Sequence, residues 1–270
     1  MRISSIATLD KADAPASRRD LARMRIGSAG TAAVAAARGL QFESLHLARR
    51  GNVLLANLTA TVPSGSTLAV MGRSGTGKTT LVRTIAGLAE SQAGRVDRPA
   101  GRVPVVFQEP RLLPWRTVRQ NVELVLPSGE RDRAVEWLVR VGLGDVIDAY
   151  PAALSGGMRQ RVSIARALAC ESPIVLVDEP FSHLDIVTAD QLRADLSRHL
   201  DDTGRTCVWV THDPAEAAAV AKRTLVMAGP PHGNWHIVDH LQFPTPELTT
   251  AGLAAALEHT GPQRDSGENS

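Results

Sequence analysis

One stretch restricts the fold more than any other: Gly72-Arg73-Ser74-Gly75-Thr76-Gly77-Lys78-Thr79. It follows Thr67-Leu68-Ala69-Val70-Met71, an apolar run too short for a helix and suited to a strand covered on both faces. Behind it, Leu81, Ile85, Ala86 and Leu88 recur at helical spacing before a turn at Ser91–Gly94. A glycine-rich turn between a buried strand and a helix has one evident use. Without Cβ atoms the backbone curls tightly, and successive N–H groups converge on an anion. The amides and positive dipole end of the following helix point at the same place. Lys78 then adds a point charge for β- and γ-phosphates, and the Thr79 hydroxyl is placed for Mg²⁺. The candidate nucleotide contacts are Gly72, Arg73, Ser74, Gly75, Thr76, Gly77, Lys78, Thr79 and Thr80.

The rest of the chain agrees with such a unit. Leu40 to Leu47 and Val53 to Val62 read as two short strands, followed by a turn at Pro63-Ser64-Gly65. Further buried strands are expected at Val103 to Phe107, Ile174 to Val177, Thr206 to Val210 and Thr224 to Met227. Between the first two of these lies a mostly helical stretch, with its best helices at Arg131 to Val141 and Met158 to Ala169. This alternation predicts an α/β fold with a mostly parallel sheet. Aromatic residues make up only 3% of the chain, so its core must be built mostly from Val, Leu, Ile and Ala. Residues 1–39 are rich in Ala, Ser and Arg and are expected to be a flexible extension, unless translation starts at Met24. Residues 40–244 form the domain, with a helical subdomain at about 111–170, and 245–270 read as a loosely held tail. No uncharged apolar run is long enough to cross a membrane, the N-terminus lacks a signal-peptide pattern, and Cys170 and Cys207 have no metal-ligand spacing. The expected location is cytoplasmic. A net charge of +2 argues against a protein devoted to nucleic acid.

In parallel sheets ligands bind beyond the C-terminal strand ends. The polar residues of interest sit there: Lys78, Gln108, Asp178, Glu179 and His212. Asp178 suits a Mg²⁺ ion that keeps several waters, and Glu179 is next in line to polarise an attacking water. Beside a phosphate loop that reading outweighs an ordinary solvated pair. His212 is placed to donate to a γ-phosphate, and Gln108 to touch the Mg²⁺ or the water. Leu154-Ser155-Gly156-Gly157-Met158-Arg159-Gln160-Arg161 opens a second helix with an anion-grade start. One nucleotide hardly needs two such starts in one chain. Two chains facing head to tail solve this, each placing Ser155, Gly156 and Gly157 over the nucleotide held by the other.

Taken together, GRSGTGKT, Gln108, LSGGMRQR, IVLVDEP, the turn from Ser182 to Asp185, and Thr211-His212 resemble an ABC-transporter ATP-binding subunit over about Leu40 to Pro244. The resemblance implies the ABC ATPase fold: a P-loop core, an N-terminal antiparallel β part and an inserted helical subdomain. It implies ATP and Mg²⁺ as ligands, with Thr79, Gln108 and Asp178 at the metal and Lys78, Glu179, Gln108 and His212 in catalysis. It also implies a dimer contact at Asp185. The stretch from Gln108 to Val118, with its LLPW segment, is similar to nitrate, sulfonate and taurine importers. That implies two membrane permease subunits, an extracytoplasmic solute-binding protein, and a place on the cytoplasmic face of the membrane. Leu112, Leu113 and Trp115 form an apolar knob fit to seat a short helix of a permease; on the residues alone it is equally a small satellite core.

Two features depart from the family. No aromatic stands ahead of the glycine loop to stack on adenine, so Arg50 is the expected substitute. His183 occupies a place that usually holds a small residue, close to the dimer contact. Competing readings are a soluble ABC ATPase acting on nucleic acid or the ribosome, and an exporter subunit. The first lacks a coiled-coil insertion or second cassette here; the LLPW segment argues against the second.

Overall fold

The computed structural model describes residues 39–259, apart from 183 and 244. The expected extension lies outside the described residues except for Gly39, and so does His183. The N-terminal layer is an antiparallel sheet: strand β1 (Leu40–Arg49) lies between β2 (Asn52–Val62) and β4 (Ala93–Asp97). Pairing slips between Phe42 and Leu45, and Ser44 and Asn57 carry left-handed φ of 46 and 53°. These bulges keep Phe42, Leu45, Leu47, Leu55 and Leu58 on the buried face.

The second sheet is built from β3 (Thr67–Gly72), β5 (Val105–Phe107), β6 (Ile174–Asp178), β7 (Thr206–Val210), β8 (Arg223–Gly229) and β9 (Asn234–Asp239). Their order across the sheet is β5-β6-β7-β3-β8-β9. All are parallel except β9, which runs antiparallel to β8. Residues 174–178 and 206–210 are buried throughout, as apolar runs covered on both faces must be. Phe107 pairs with Asp178, Asp178 with Val210, and Val70 with Val210, so the polar residues that follow these strands converge on one edge.

Helix α1 (Lys78–Ile85) leaves β3 and buries Leu81, Val82 and Ile85 between the two sheets. The insert between β5 and β6 holds α2 (Val118–Glu123), α3 (Asp132–Arg140) and α4 (Gly156–Ala169). It shares one core with α5 (Ile186–Thr203) and the far face of the sheet, through Trp137, Leu138, Val162, Leu196 and Trp209. Helix α6 (Pro214–Val220) follows β7.

Three expectations change. The turn at Ser91–Gly94 runs into β4, a mostly exposed polar edge strand with no apolar run to announce it. Strand β9 was not expected. The tail is not loose over Pro246–His259, which form α7. Leu253 there is fully buried with Ala69, Met71 and Val226, worth about 2 kcal/mol.

Candidate active site

The phosphate loop is shaped by close approaches that exclude a side chain. A Cβ on Gly72 would lie 2.5 Å from Thr76 Oγ1 and 2.7 Å from the Met227 carbonyl oxygen. Gly77 caps α1 at φ +104°, and a Cβ there would meet Leu54 Cβ at 2.8 Å. Lys78 is 7% exposed, and its Nζ donates to the carbonyls of Gly72 (2.8 Å) and Arg73 (3.2 Å). The same nitrogen lies 3.4 Å from Glu179 Oε1. The loop is thus closed round its own cation.

At the end of β6, burial pushes the Asp178 carboxyl above the ordinary carboxylate range, and a hydrogen bond from Thr79 pulls it back. Glu179 stands at φ 46°, a left-handed conformation that side chains adopt at a cost. Its Oε2 lies 3.3 Å from Nδ1 of the exposed His212. Gln108 Nε2 donates to Ser182 Oγ at 2.9 Å, and that hydroxyl donates to the Glu179 carbonyl at 3.2 Å. One cleft of ≈ 600 Å³ gathers Ser74, Gly75, Gly77, Lys78, Thr79, Thr80, Gln108, Asp178, Glu179 and His212, a size suited to a nucleotide. Arg49 and Leu54 complete its wall. The arginine that lines the cleft is Arg49; Arg50, the next residue, is exposed in the turn at φ 52° and does not line it.

The donor set at Thr79 and Asp178 fits Mg²⁺. It offers a desolvated carboxylate and a hydroxyl in contact, all oxygen, beside a phosphate cradle. No group of three or more His, Cys, Asp or Glu could hold a metal among the described residues.

Ser155, Gly156 and Gly157 are not in this cleft. Ser155 and Gly156 are exposed, and the Ser155 hydroxyl caps α4 by accepting from the Met158 N–H at 3.2 Å. A Cβ on Gly157 would meet Thr188 Cγ2 at 3.0 Å, and one on Gly156 would meet Leu184 at 3.7 Å. The turn thus packs beside the start of α5, where exposed Asp185 accepts from the Thr188 N–H. Those amide contacts hold the Asp185 carboxyl below its ordinary range.

Helix α4 also grips the loop after β5. Gln160 Nε2 donates to the Phe107 carbonyl at 3.1 Å, and Arg166 donates to the carbonyls of Pro110 (2.9 Å) and Arg111 (3.1 Å). Beyond it, Leu112 and Leu113 are half-buried and Trp115 is 69% exposed. Asn121, fully buried, bonds Leu113, Arg116 and Thr117 and so fixes the turn that carries Trp115. Sequence reasoning missed Arg49, Leu54 and Asn121, and gave Ser182 no bonding role within its turn. The half-buried patterning of β1 and β2 says nothing of which strand end meets the loop, and a lone Asn or Ser carries no signal until its partners are in place.

Fold and cleft define an ATP-hydrolysing P-loop cassette. The ABC transporter family description matches residues 55–182. The aliphatic sulfonates import ATP-binding protein SsuB of Rhodopseudomonas palustris is 43% identical over 216 residues, 77% of this chain and 76% of that protein. SsuB 2 of Frankia alni is 50% identical over 178 residues, 65% of this chain and 72% of that protein. A solved ATP-binding cassette, dimeric and bound to ADP and Pi after hydrolysis, superposes with a TM-score of 0.65 at 28% identity, covering 74% of this chain and 98% of that one. CbiO1 of Clostridium perfringens, part of the cbiONQ transporter complex, shares the fold with a TM-score of 0.68 at 24% identity over 81% and 93% of the two chains. The chain belongs to the ATP-binding subunits of ABC transporters, and among them it is similar to the SsuB proteins. Among the described residues no helix is long and apolar enough to cross a membrane.

Proposed function

We propose that this chain is the ATPase subunit of an importer for a small organic anion of the aliphatic sulfonate class. It acts as a head-to-tail pair on two membrane permease subunits at the cytoplasmic face, fed by an extracytoplasmic binding protein. The observation that carries the pairing is the separation of two anion-grade helix starts. Gly77-Lys78 opens into the cleft, while Ser155-Gly156 lies exposed beside Asp185 outside it. A second copy, turned about, brings Ser155, Gly156 and Gly157 over the first copy's nucleotide, with Asp185 at the contact. The solute class is supported by the likeness to SsuB proteins.

In this reading the loop amides from Gly72 to Thr80 and Lys78 hold the phosphates, which they meet without reorganisation. Arg49 covers the base. Thr79 and Asp178 would hold Mg²⁺, with Gln108 across the cleft, and the ion would supply positive charge at the phosphate oxygens. Glu179 accepts the proton of the attacking water, and His212, held by Glu179 Oε2, donates to the γ-phosphate. Leu112, Leu113 and Trp115 receive a permease helix. Because α4 holds both the Ser155 turn and the carbonyls at Phe107, Pro110 and Arg111, movement at the knob reaches the nucleotide.

The test is reconstitution with the permease subunits encoded beside it and the matching binding protein in proteoliposomes. ATP-dependent uptake of an alkanesulfonate supports the reading. ATPase activity stimulated by RNA or DNA and not by the permease overturns it.

A further inference from the structure

We propose that Glu216 is a positioning residue for His212, and that with Arg193 it ties the His212 turn to the helix that begins at Asp185. The proposal rests on the reading above, in which His212 meets the γ-phosphate. Glu216 lies in the first turn of α6, with a side chain only 12% exposed. Its Oε1 accepts from Trp209 Nε1 at 3.2 Å and faces Arg193 Nε at 3.5 Å. Its Oε2 accepts from Thr211 Oγ1 at 2.5 Å. That hydroxyl in turn accepts from the Asp213 N–H at 3.0 Å. Trp209 is fully buried and Thr211 is 1% exposed, so water cannot replace these partners.

The consequence for His212 is geometric. Its neighbours on both sides are fixed, Thr211 by Glu216 and Asp213 by Thr211 and by its cap on the Ala215 N–H. The imidazole between them is 66% exposed, and among the described residues its ring is met by Glu179 Oε2. The point from which the ring reaches that carboxylate is set by the backbone on either side, and Glu216 fixes this backbone through Thr211. Arg193 extends the chain of contacts to α5. It sits eight residues along a continuous helix from Asp185, about 12 Å of rigid rod. Arg193 Nε, 3.5 Å from Glu216 Oε1, in this way joins the His212 turn to the helix that Asp185 caps.

The experiment measures steady-state ATPase of the full chain with Thr211→Val and Glu216→Ala, each in the parent and in the His212→Ala background. Thr211→Val keeps the side-chain shape and leaves the Glu216 bond to Trp209 in place while removing both bonds of the hydroxyl, to Glu216 Oε2 and from the Asp213 N–H, so it is the milder of the two variants for the fold. Each variant is expected to lower kcat about tenfold with the nucleotide Kd unchanged, and to cause no further loss where His212 is absent. Equal losses in both backgrounds, or a Kd that worsens with kcat, overturn the inference. Full activity of His212→Ala alone removes the assignment of His212 and the inference with it. A slow His212→Ala on which the other variants still act overturns the inference only. If the His212→Ala rate falls below detection, the His212 ring resonances of ¹⁵N-histidine-labelled protein carry the test: they move in Thr211→Val, and unmoved resonances overturn the proposal.

Discussion

Replacing Asn121 with alanine removes the peg that holds the knob-bearing turn. Its Oδ1 accepts from the Leu113 N–H at 2.8 Å. Its Nδ2 faces the carbonyls of Leu113, Arg116 and Thr117 at 3.2, 3.1 and 3.0 Å. An amide nitrogen has two protons, so three carbonyls share two bonds and the side chain makes three in all. At about 1 kcal/mol each, in a fully buried place that water does not enter, the loss is about 3 kcal/mol. For a domain of this size that lowers Tm by roughly 6–12 °C. Calorimetry of the nucleotide-free chain measures it, with Trp115→Ala as the comparison. Trp115 is 69% exposed, so its removal changes stability by less than about 0.5 kcal/mol. An Asn121→Ala chain that melts with its parent would show that the turn is held by something other than this amide.

Burial raises the folded pKa of Asp178 above its unfolded value, so ionising it costs stability as pH rises through the folded pKa. Asp178→Asn should therefore melt higher than the parent at pH 7, with the gain vanishing toward about pH 4, while Mg²⁺-dependent hydrolysis is lost; a lower melting point at pH 7 contradicts this. Trp115→Ala should leave basal hydrolysis intact and abolish its stimulation by the permease; a collapse of basal activity would make Trp115 a core residue. Arg49→Ala should weaken ATP binding about tenfold, measured by titration calorimetry, and leave pyrophosphate binding unchanged, whereas Arg50→Ala changes neither. Equal losses for ATP and pyrophosphate would place Arg49 on the phosphates.

What the sequence made legible is what burial and glycine dictate locally. The runs at Thr67–Gly72, Ile174–Asp178 and Thr206–Val210 are apolar on both faces, and they are the strands beside the cleft. Lys78, Asp178, Glu179 and His212 stood out because each is a polar residue that follows a strand, and the structure brings these four together in one cleft. Strand β4 was hidden because its residues are nearly all exposed and its pairing with β1 is a tertiary fact. Helix α7 was passed over because it was read together with the polar residues after His259, although Leu253, Ala254, Ala255, Ala256 and Leu257 are good helix formers and Leu253 carries its burial. The shift from Arg50 to Arg49 comes from the turn at Arg50 and Gly51, whose left-handed φ values no spacing argument supplies. Glu216 was invisible for a related reason: its partners sit on strand β7, on the turn after it and on α5.

The most direct test of a shared reaction chamber is the mass in solution of Glu179→Gln with saturating Mg-ATP, read by light scattering. Removing the proton acceptor while keeping every phosphate contact should arrest the closed pair, giving twice the 28.8 kDa of one chain. A nucleotide-filled sample that scatters as a single 28.8 kDa chain would mean that the cleft at Lys78 works without the Ser155 turn of a neighbour.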